Sequence, residues 1–399
     1  MNRKHWIDNL RWATVLLVLF YHVIYFYNAK GVFGGIGGFY EVQPWDAIMS
    51  MLYPWFMMLL FLVAGISSRY ALGSAVPEQV TELVEGHEGP HLSHKQFIKN
   101  RTRKLLVPAT IGLFVFQWMT GYFNTQVAAY STGINPFGDI PETVPDGIQN
   151  VIKYFAYSLS GIGPLWFVQD LWLFSLLLVL IRVIEKDKFY NKVGAFFKVT
   201  SWWEYLFIVK GFLLIFLGAQ CSISHPRPET ADGLWNLYRP LAYLVPFLLG
   251  YFVFSHETVQ ECVKKIRIPM LFLALASGIA FTVMMYGKND TDPVVLKSWS
   301  CNLFAWFAIL AMLGCFKAWF DKTNRFATYM TKSSYGIYVL HYLIIASFGY
   351  MMKAHTSLAP WMMYVILFVA VMTIPVVLNE IIKRIPFIRW CVLGIKKKK

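Results

Sequence analysis

The chain has 399 residues, of which 57% are hydrophobic and 15% charged, against the roughly 25% charged expected of a soluble globular protein. That balance excludes a soluble enzyme, a disordered chain and a fibrous one, and the continuous apolar stretches, lacking period-two alternation, exclude an outer-membrane barrel. The formal charge of +14 would suggest nucleic acid for a soluble protein, but its distribution follows membrane orientation and no nucleic-acid partner is expected.

Apolar runs of about 18 residues or more predict an all-α polytopic membrane protein with about ten transmembrane helices. They lie near 10–28, 45–66, 105–123, 164–184, 203–222, 236–255, 269–287, 299–316, 334–352 and 361–380. Counting residues at span ends with the flanking segments, the side of the termini carries 28 Lys or Arg and the opposite side 7, with Lys210 alone deep inside a span. Basic residues mark the cytoplasmic side, so both termini are expected to be cytoplasmic in a multi-pass protein embedded in membrane lipid. The first stretch has no small-residue cleavage site after it and is expected to remain a helix. The run Lys396 to Lys399 reads as a topology anchor. Five scattered cysteines, Cys221, Cys262, Cys301, Cys315 and Cys391, read as free thiols.

The whole chain, 1–399, reads as a single integral-membrane domain. A cytoplasmic loop is expected over 72–96, acidic in its middle at Glu78, Glu82, Glu85 and Glu88, and an extracytoplasmic loop over 124–163. Part of the second, near Val151 to Leu159, is expected to fold back toward the membrane over an outward-facing cavity. No internal repeat suggests the matched halves of a secondary transporter.

His87-Glu88-Gly89-Pro90-His91 has the letters of a zinc-protease motif, but Gly-Pro breaks the helical turn that would place both imidazoles on one metal, and no metal is expected. Asn289-Asp290-Thr291 fits a glycosylation acceptor on the outer side, meaningful only in a secretory pathway. Ionisable groups at membrane depth carry more information, because each is costly unless it faces a cavity or a partner. His22 follows Arg11 by eleven residues, which brings both onto one helix face about 16 Å apart along the axis. Arg11 would then stand at the cytoplasmic rim and His22 near mid-bilayer; a snorkelling arginine and a hydrogen-bonded core histidine is the plainer alternative. Arg101, Arg103 and Lys104 open the third span. They are either the ordinary inner-rim charge of an oriented membrane protein or a clamp for the phosphates of a cytoplasmic ligand. Asp170, one turn after Trp166, is the most deeply placed carboxylate. Ser334, Tyr338 and His341 form a polar stripe in the ninth span, serving as interhelical glue or as the lining of a reaction chamber.

In order and spacing these residues resemble acyltransferase family 3. The likeness runs from Ile7-Asp8-Asn9-Leu10-Arg11 to His22, then through Phe61-Leu62-Val63-Ala64-Gly65, the basic segment from Phe97 to Pro108, Leu165-Trp166-Phe167 and the run from Ser334 to His341. Two departures stand out: Lys104 occupies the second of the family's paired arginines, and Ala64 replaces the serine before Gly65. The resemblance implies a membrane-bound O-acyltransferase of the bacterial cytoplasmic (inner) membrane. It would move an acyl group, acetyl in the first instance, from cytoplasmic acyl-CoA (acetyl-CoA) to a hydroxyl of an envelope glycan or lipid-linked sugar. Arg11, Arg101, Arg103 and Lys104 would hold the donor's phosphates. His22, with Arg11, would carry the chemistry as general base or as a nucleophile forming an acyl-imidazole, and Asp170, Trp166, Tyr338 and His341 would orient the substrate. The competing class is a proton-coupled transporter or flippase of an anionic or lipid-linked substrate, with the buried His and Asp as its proton relay.

Overall fold

A computed structural model describes residues 4–28, 35–40, 42–73, 92–133, 143–198, 203–223, 239–289 and 292–396. Helix is the regular structure throughout these residues, as it must be where lipid offers backbone groups no alternative partner. The helices are α1 His5–Phe26, α2 Asp46–Leu52, α3 Phe56–Leu72, α4 His94–Arg101, α5 Trp118–Thr132, α6 Asp146–Ser160, α7 Trp166–Glu185, α8 Lys188–Lys198 and α9 Trp203–Ser222. After them come α10 Pro240–Phe252, α11 Glu257–Lys265, α12 Arg267–Met285, α13 Pro293–Lys297, α14 Trp299–Trp319, α15 Arg325–His355, α16 Pro360–Arg384 and α17 Pro386–Leu393. Seven segments are long and apolar enough to cross a membrane: His5–Phe26, Asp46–Leu72, Gly163–Glu185, Arg267–Met285, Trp299–Trp319, Arg325–His355 and Pro360–Arg384. Two shorter apolar helices, Ile208–Ser222 and Pro240–Phe252, fall within the expected fifth and sixth spans. The protein is an all-α polytopic membrane protein.

The expected third span, 105–123, is not one regular helix. π-helical turns at Thr102–Leu106 and Leu113–Gln117 lie on either side of a turn at 107–110 and two helical residues, 111–112, and continuous regular helix begins at Trp118. Pro108 sits in that turn; it has no N–H to donate and its ring crowds the preceding turn, so the backbone widens on both sides of it. Polar side chains from neighbouring helices meet the altered segment: Gln169 Nε2 donates to the Ala109 carbonyl at 3.1 Å, and Trp172 Nε1 to Thr102 Oγ1 at 3.0 Å. Gln117 in turn donates to the Val339 carbonyl at 3.0 Å, joining this segment to α15.

The expected outer loop, 124–163, is helical over much of its length. α5 runs to Thr132 and α6 returns against it, so close that a Cβ on Gly121 would fall 1.7 Å from the Tyr157 carbonyl oxygen. Ile148, Val151, Ile152, Phe155 and Leu159 of α6 are exposed on one face, the spacing of an amphipathic helix. Residues 74–91 of the expected cytoplasmic loop, the His87–His91 motif among them, lie outside the described residues, as do Asp290 and Thr291.

Among the helix pairs, α3 and α10 pack along the most extensive seam. A Cβ on Gly65 would lie 2.0 Å from the Phe247 carbonyl oxygen, and one on Gly250 2.0 Å from that of Leu62. Each helix therefore presses its backbone against the other's, the small-residue packing that lipid-embedded helices favour. Gly65 of the Phe61 to Gly65 motif is thus a packing residue.

At one end of α3 and α10 a buried ionic knot ties four helices. Arg69 Nη1 donates to Asp187 Oδ1 at 2.7 Å and to the Tyr251 hydroxyl at 3.3 Å, while its guanidinium lies 3.5 Å over the Tyr190 ring. Arg182 donates to the Tyr251 hydroxyl at 3.2 Å and caps α3 through the Gly73 carbonyl at 2.6 Å. Two guanidiniums around one carboxylate are tolerable in a dry setting because a phenol oxygen and a helix-terminal carbonyl take up further donors, although Arg182 Nε finds no acceptor among the described residues.

Replacing Gly250 by Ala is expected to cost about 1–3 kcal/mol or more, since both backbones must move apart. Gly147→Ala, whose new methyl would meet nothing within 4 Å, is expected to leave stability unchanged. Thermal unfolding of the detergent-solubilised variants checks both.

Candidate active site

α1 is continuous from His5 to Phe26, so Arg11 and His22 do share one face, about 16 Å apart along the axis. α15 crosses α1 and brings His341, 319 positions away in sequence, against His22. Their ring centroids are 5.1 Å apart and His341 Nε2 stands 3.3 Å from His22 Nδ1. Gly349 permits the crossing: a Cβ there would fall 2.2 Å from the Phe26 ring. The Tyr27 hydroxyl donates to the Gly349 carbonyl at 3.1 Å, fixing the same junction.

The two imidazoles are not equivalent. His341 is fully buried, whereas His22 is only half-buried. His341 Nδ1 lies 2.5 Å from the Tyr338 carbonyl, which can only accept, so in the neutral ring that nitrogen carries the proton and Nε2 is an acceptor. The contact with His22 then places a proton on His22 Nδ1 and leaves His22 Nε2 with its lone pair. A sealed histidine thereby favours one tautomer of its half-buried neighbour, which also hydrogen-bonds the backbone of Val18. Tyr25 and Tyr342 set their rings edge-on to His22, at centroid distances of 6.4 and 5.7 Å.

Tyr338 lies one turn before His341 and donates its hydroxyl to the Pro164 carbonyl at the start of α7. Its ring faces Phe167 at 5.8 Å, and Phe167 packs on Phe61 at 4.7 Å. The Leu165-Trp166-Phe167 motif is in this way keyed to the run ending at His341. Asp170 and Trp166 stand apart from the histidines, toward α10: Trp166 meets Tyr243 at 5.2 Å, and Tyr243 stacks on Phe61 at 4.9 Å.

At the rim, Arg11 is paired with Asp8 and retains an exposed fraction of 39%. Arg101 donates to Ser68 Oγ at 2.9 Å, Arg103 Nε to the Gly394 carbonyl at 3.1 Å, and the Tyr335 hydroxyl holds the Lys104 carbonyl at 2.5 Å. Burial, and then repulsion from Arg11, push the Arg101 guanidinium down to about 10. Burial lowers Lys104 too, with repulsion from Arg101, Arg103 and Arg11 adding to it. The sequence-predicted cations Arg11, Arg101, Arg103 and Lys104 thus form one mutually repelling cluster, which an anion would relieve.

Sequence reading missed Tyr53, Tyr243 and Arg239. Arg239 Nη1 donates to the Tyr53 hydroxyl at 2.8 Å, and Tyr53 stacks on Tyr21, the neighbour of His22, at 5.7 Å. Arg239 and Tyr243 are one helical turn apart, a pairing visible in the sequence, but Tyr53 joins them only through folding. Among the described residues, no three His, Cys, Asp or Glu side chains are grouped as a metal site would need.

Compared with known proteins, residues 4–380 match the acyltransferase domain of acyltransferase family 3. The chain is similar to glucans biosynthesis protein C of Escherichia coli O139:H28 (strain E24377A / ETEC), with 24% identity over 269 residues, covering 62% of this chain and 65% of that protein. The chain thus spans just under two thirds of that relative's length. No solved structure matches it. With a family match over nearly its whole length, the chain belongs to acyltransferase family 3.

Proposed function

We propose that the protein is an O-acyltransferase of the bacterial cytoplasmic membrane, taking an acyl group, acetyl in the first instance, from cytoplasmic acyl-CoA to a hydroxyl of an envelope glycan or lipid-linked sugar. The observation that carries this reading is the half-buried His22 backed by the sealed His341, on the same helix as Arg11. The name of the glucan-synthesis relative supports a glycan acceptor. The bias of Lys and Arg supports ten spans with both ends inside, and hence a donor site facing the cytoplasm.

The rim cations fit the donor's phosphates. Arg11 and Arg101 supply paired N–H donors and Lys104 a point charge, and their mutual repulsion without an anion favours binding one. The pantetheine arm would run along the face of α1 from Arg11 toward His22. There the acceptor hydroxyl gives its proton to His22 Nε2, its oxygen bonds the thioester carbonyl carbon, and the C–S bond breaks. The proton then passes from His22 to the departing sulfur. In the acyl-imidazole alternative the same Nε2 attacks the thioester first. His341 serves both routes by holding the proton on Nδ1, so it is a positioning residue.

Acceptor-dependent thiol release from acetyl-CoA, measured on the purified protein with an envelope-glycan fraction beside longer acyl-CoAs, should be abolished by His22→Ala at unchanged protein level. Release that persists in His22→Ala would refute the assignment, and none with any donor from folded wild type would favour a transporter. His341→Ala is expected to lower kcat by about tenfold or more with KM for acyl-CoA nearly unchanged, and His341→Gln, which keeps an acceptor oxygen, to recover part of the loss. Arg101→Ala should do the reverse, raising KM for acyl-CoA by about tenfold and leaving kcat within about twofold, the loss of one charge-assisted contact to phosphate. A rise in KM with ionic strength would accompany it in the wild type.

A further inference from the structure

We infer that the C-terminal segment 386–394 is a splint across the irregular part of the third span, and that it sets where the donor-binding cations Arg103 and Lys104 stand. The inference rests on the acyltransferase reading above and assigns positioning residues for its donor side. Its starting point is the backbone around Pro108. That residue has no N–H, so it gives no bond to the Lys104 carbonyl, its partner in an α-helix, or to the Arg103 carbonyl, its partner in a π-helix. On both sides of it the wider π spacing is in use: the Val107 N–H reaches back to the Thr102 carbonyl at 3.1 Å, and the Gly112 N–H to that of Val107 at 3.0 Å. A helix with carbonyls released in this way is weakly held by its own bonds. Its first turns, which carry Arg101, Arg103 and Lys104, then depend on contacts from outside.

α17 supplies those contacts. It starts on Pro386 and closes on Gly394 in the left-handed region, φ 62°, where the Gly394 and Ile395 N–H groups return to the Trp390 and Arg389 carbonyls. Its last residues, Cys391, Val392 and Leu393, are buried. They meet the third span on both sides of Pro108. On one side the approach is backbone to backbone: a Cβ on Gly394 would fall 2.3 Å from the Arg103 carbonyl oxygen and 2.7 Å from the Lys104 Cα. Arg103 Nε also donates to the Gly394 carbonyl at 3.1 Å. On the other side, a Cβ on Gly112 would fall 2.8 Å from the Cys391 carbonyl oxygen. Residues 391–394 thus bridge from Arg103 to Gly112, across the stretch that Pro108 loosens. α15 completes the clamp. The Tyr335 hydroxyl donates to the Lys104 carbonyl at 2.5 Å, filling the acceptor that Pro108 leaves open, and a Cβ on the adjacent Gly336 would fall 3.1 Å from Leu393 Cδ2. Tyr335 stands six residues before His341 on one continuous helix, so the cations and the histidine pair are referred to the same rigid element. Displacing α17 would shift the cations relative to the pair. It would leave the pair itself intact, because α1 is held to α15 by separate contacts at Phe26, Tyr27 and Gly349.

Two variants load the splint from opposite sides of Pro108. Gly394→Ala, whose methyl must push on the Arg103 backbone, and Gly112→Ala, which presses on the Cys391 carbonyl, are each expected to raise KM for acetyl-CoA by about fivefold or more while kcat stays within about twofold. Isothermal titration of CoA into the detergent-solubilised whole chain should show the same loss of affinity without turnover. Hydrogen exchange of the ligand-free protein, followed by mass spectrometry, should quicken over 102–117 in both variants and keep its wild-type rate over α1, which separates displaced cations from lost folding. Replacing the four lysines 396–399 by Gln removes charge beside the splint without touching its packing residues, and is expected to leave KM within about twofold. A rise equal to that of Gly394→Ala would show charge and not position at work and would overturn the proposal. Unchanged exchange over 102–117, or unchanged affinity for CoA in both glycine variants, would overturn it too. If exchange quickens as expected but wild type itself binds no CoA, the splint stands, and the donor reading falls together with the role in donor binding assigned here.

Discussion

The crossing of α1 and α15 is the constraint on which the site depends. It brings together two imidazoles from opposite ends of the chain, and it holds only because Gly349 leaves room for the Phe26 ring. A side chain at that position would separate the helices and with them the rings. The pair then has a definite chemical asymmetry, because the Tyr338 carbonyl fixes the proton on one nitrogen of His341 and the rest of the hydrogen-bond direction follows. A histidine whose environment cannot hydrate it is a dependable acceptor for its neighbour, and the neighbour is the one that keeps some exposed surface.

The same economy of polar groups organises the rest of the bundle. Lipid provides no hydrogen bonds, so each buried donor must end on a protein acceptor. Arg69 and Arg182 end on Asp187, Tyr251 and the Gly73 carbonyl, which locks one end of α3, α7 and α10 to α8. Gln169 and Gln117 complete the segment loosened around Pro108. The cationic cluster departs from that pattern: Arg11 has Asp8 and Arg101 has Ser68, yet the four cations still face one another.

Much of this was legible in the sequence. Membrane spans are set by runs of apolar residues, and such runs are visible because hydropathy is a local property; of the ten expected, seven are long, apolar helices and two are shorter apolar ones among the described residues. Helical periodicity alone put Arg11 and His22 on one face, and it put Ser334, Tyr338 and His341 on another. The order of the motifs was enough to suggest the family. Local reading failed at Pro108, where the proline's effect on the backbone depends on whether neighbours can meet the freed carbonyls, as the Tyr335 hydroxyl does that of Lys104 and Gln169 that of Ala109. It also failed over 124–163, where apolar residues dispersed at helical spacing made an amphipathic hairpin too polar to stand out as a span.

What the sequence determined by itself was therefore the material of the protein: an all-α membrane chain, its cationic residues and the candidate histidines. Tertiary structure alone decided which residues meet. That His22 is accessible and His341 sealed, that Gly65 is a packing residue, and that Arg239, Tyr53 and Tyr243 converge depend on contacts between segments far apart in the chain. Spacing along one helix fixes a face, but the partner for that face is selected by backbone approach and side-chain volume on another helix, and no local pattern encodes both.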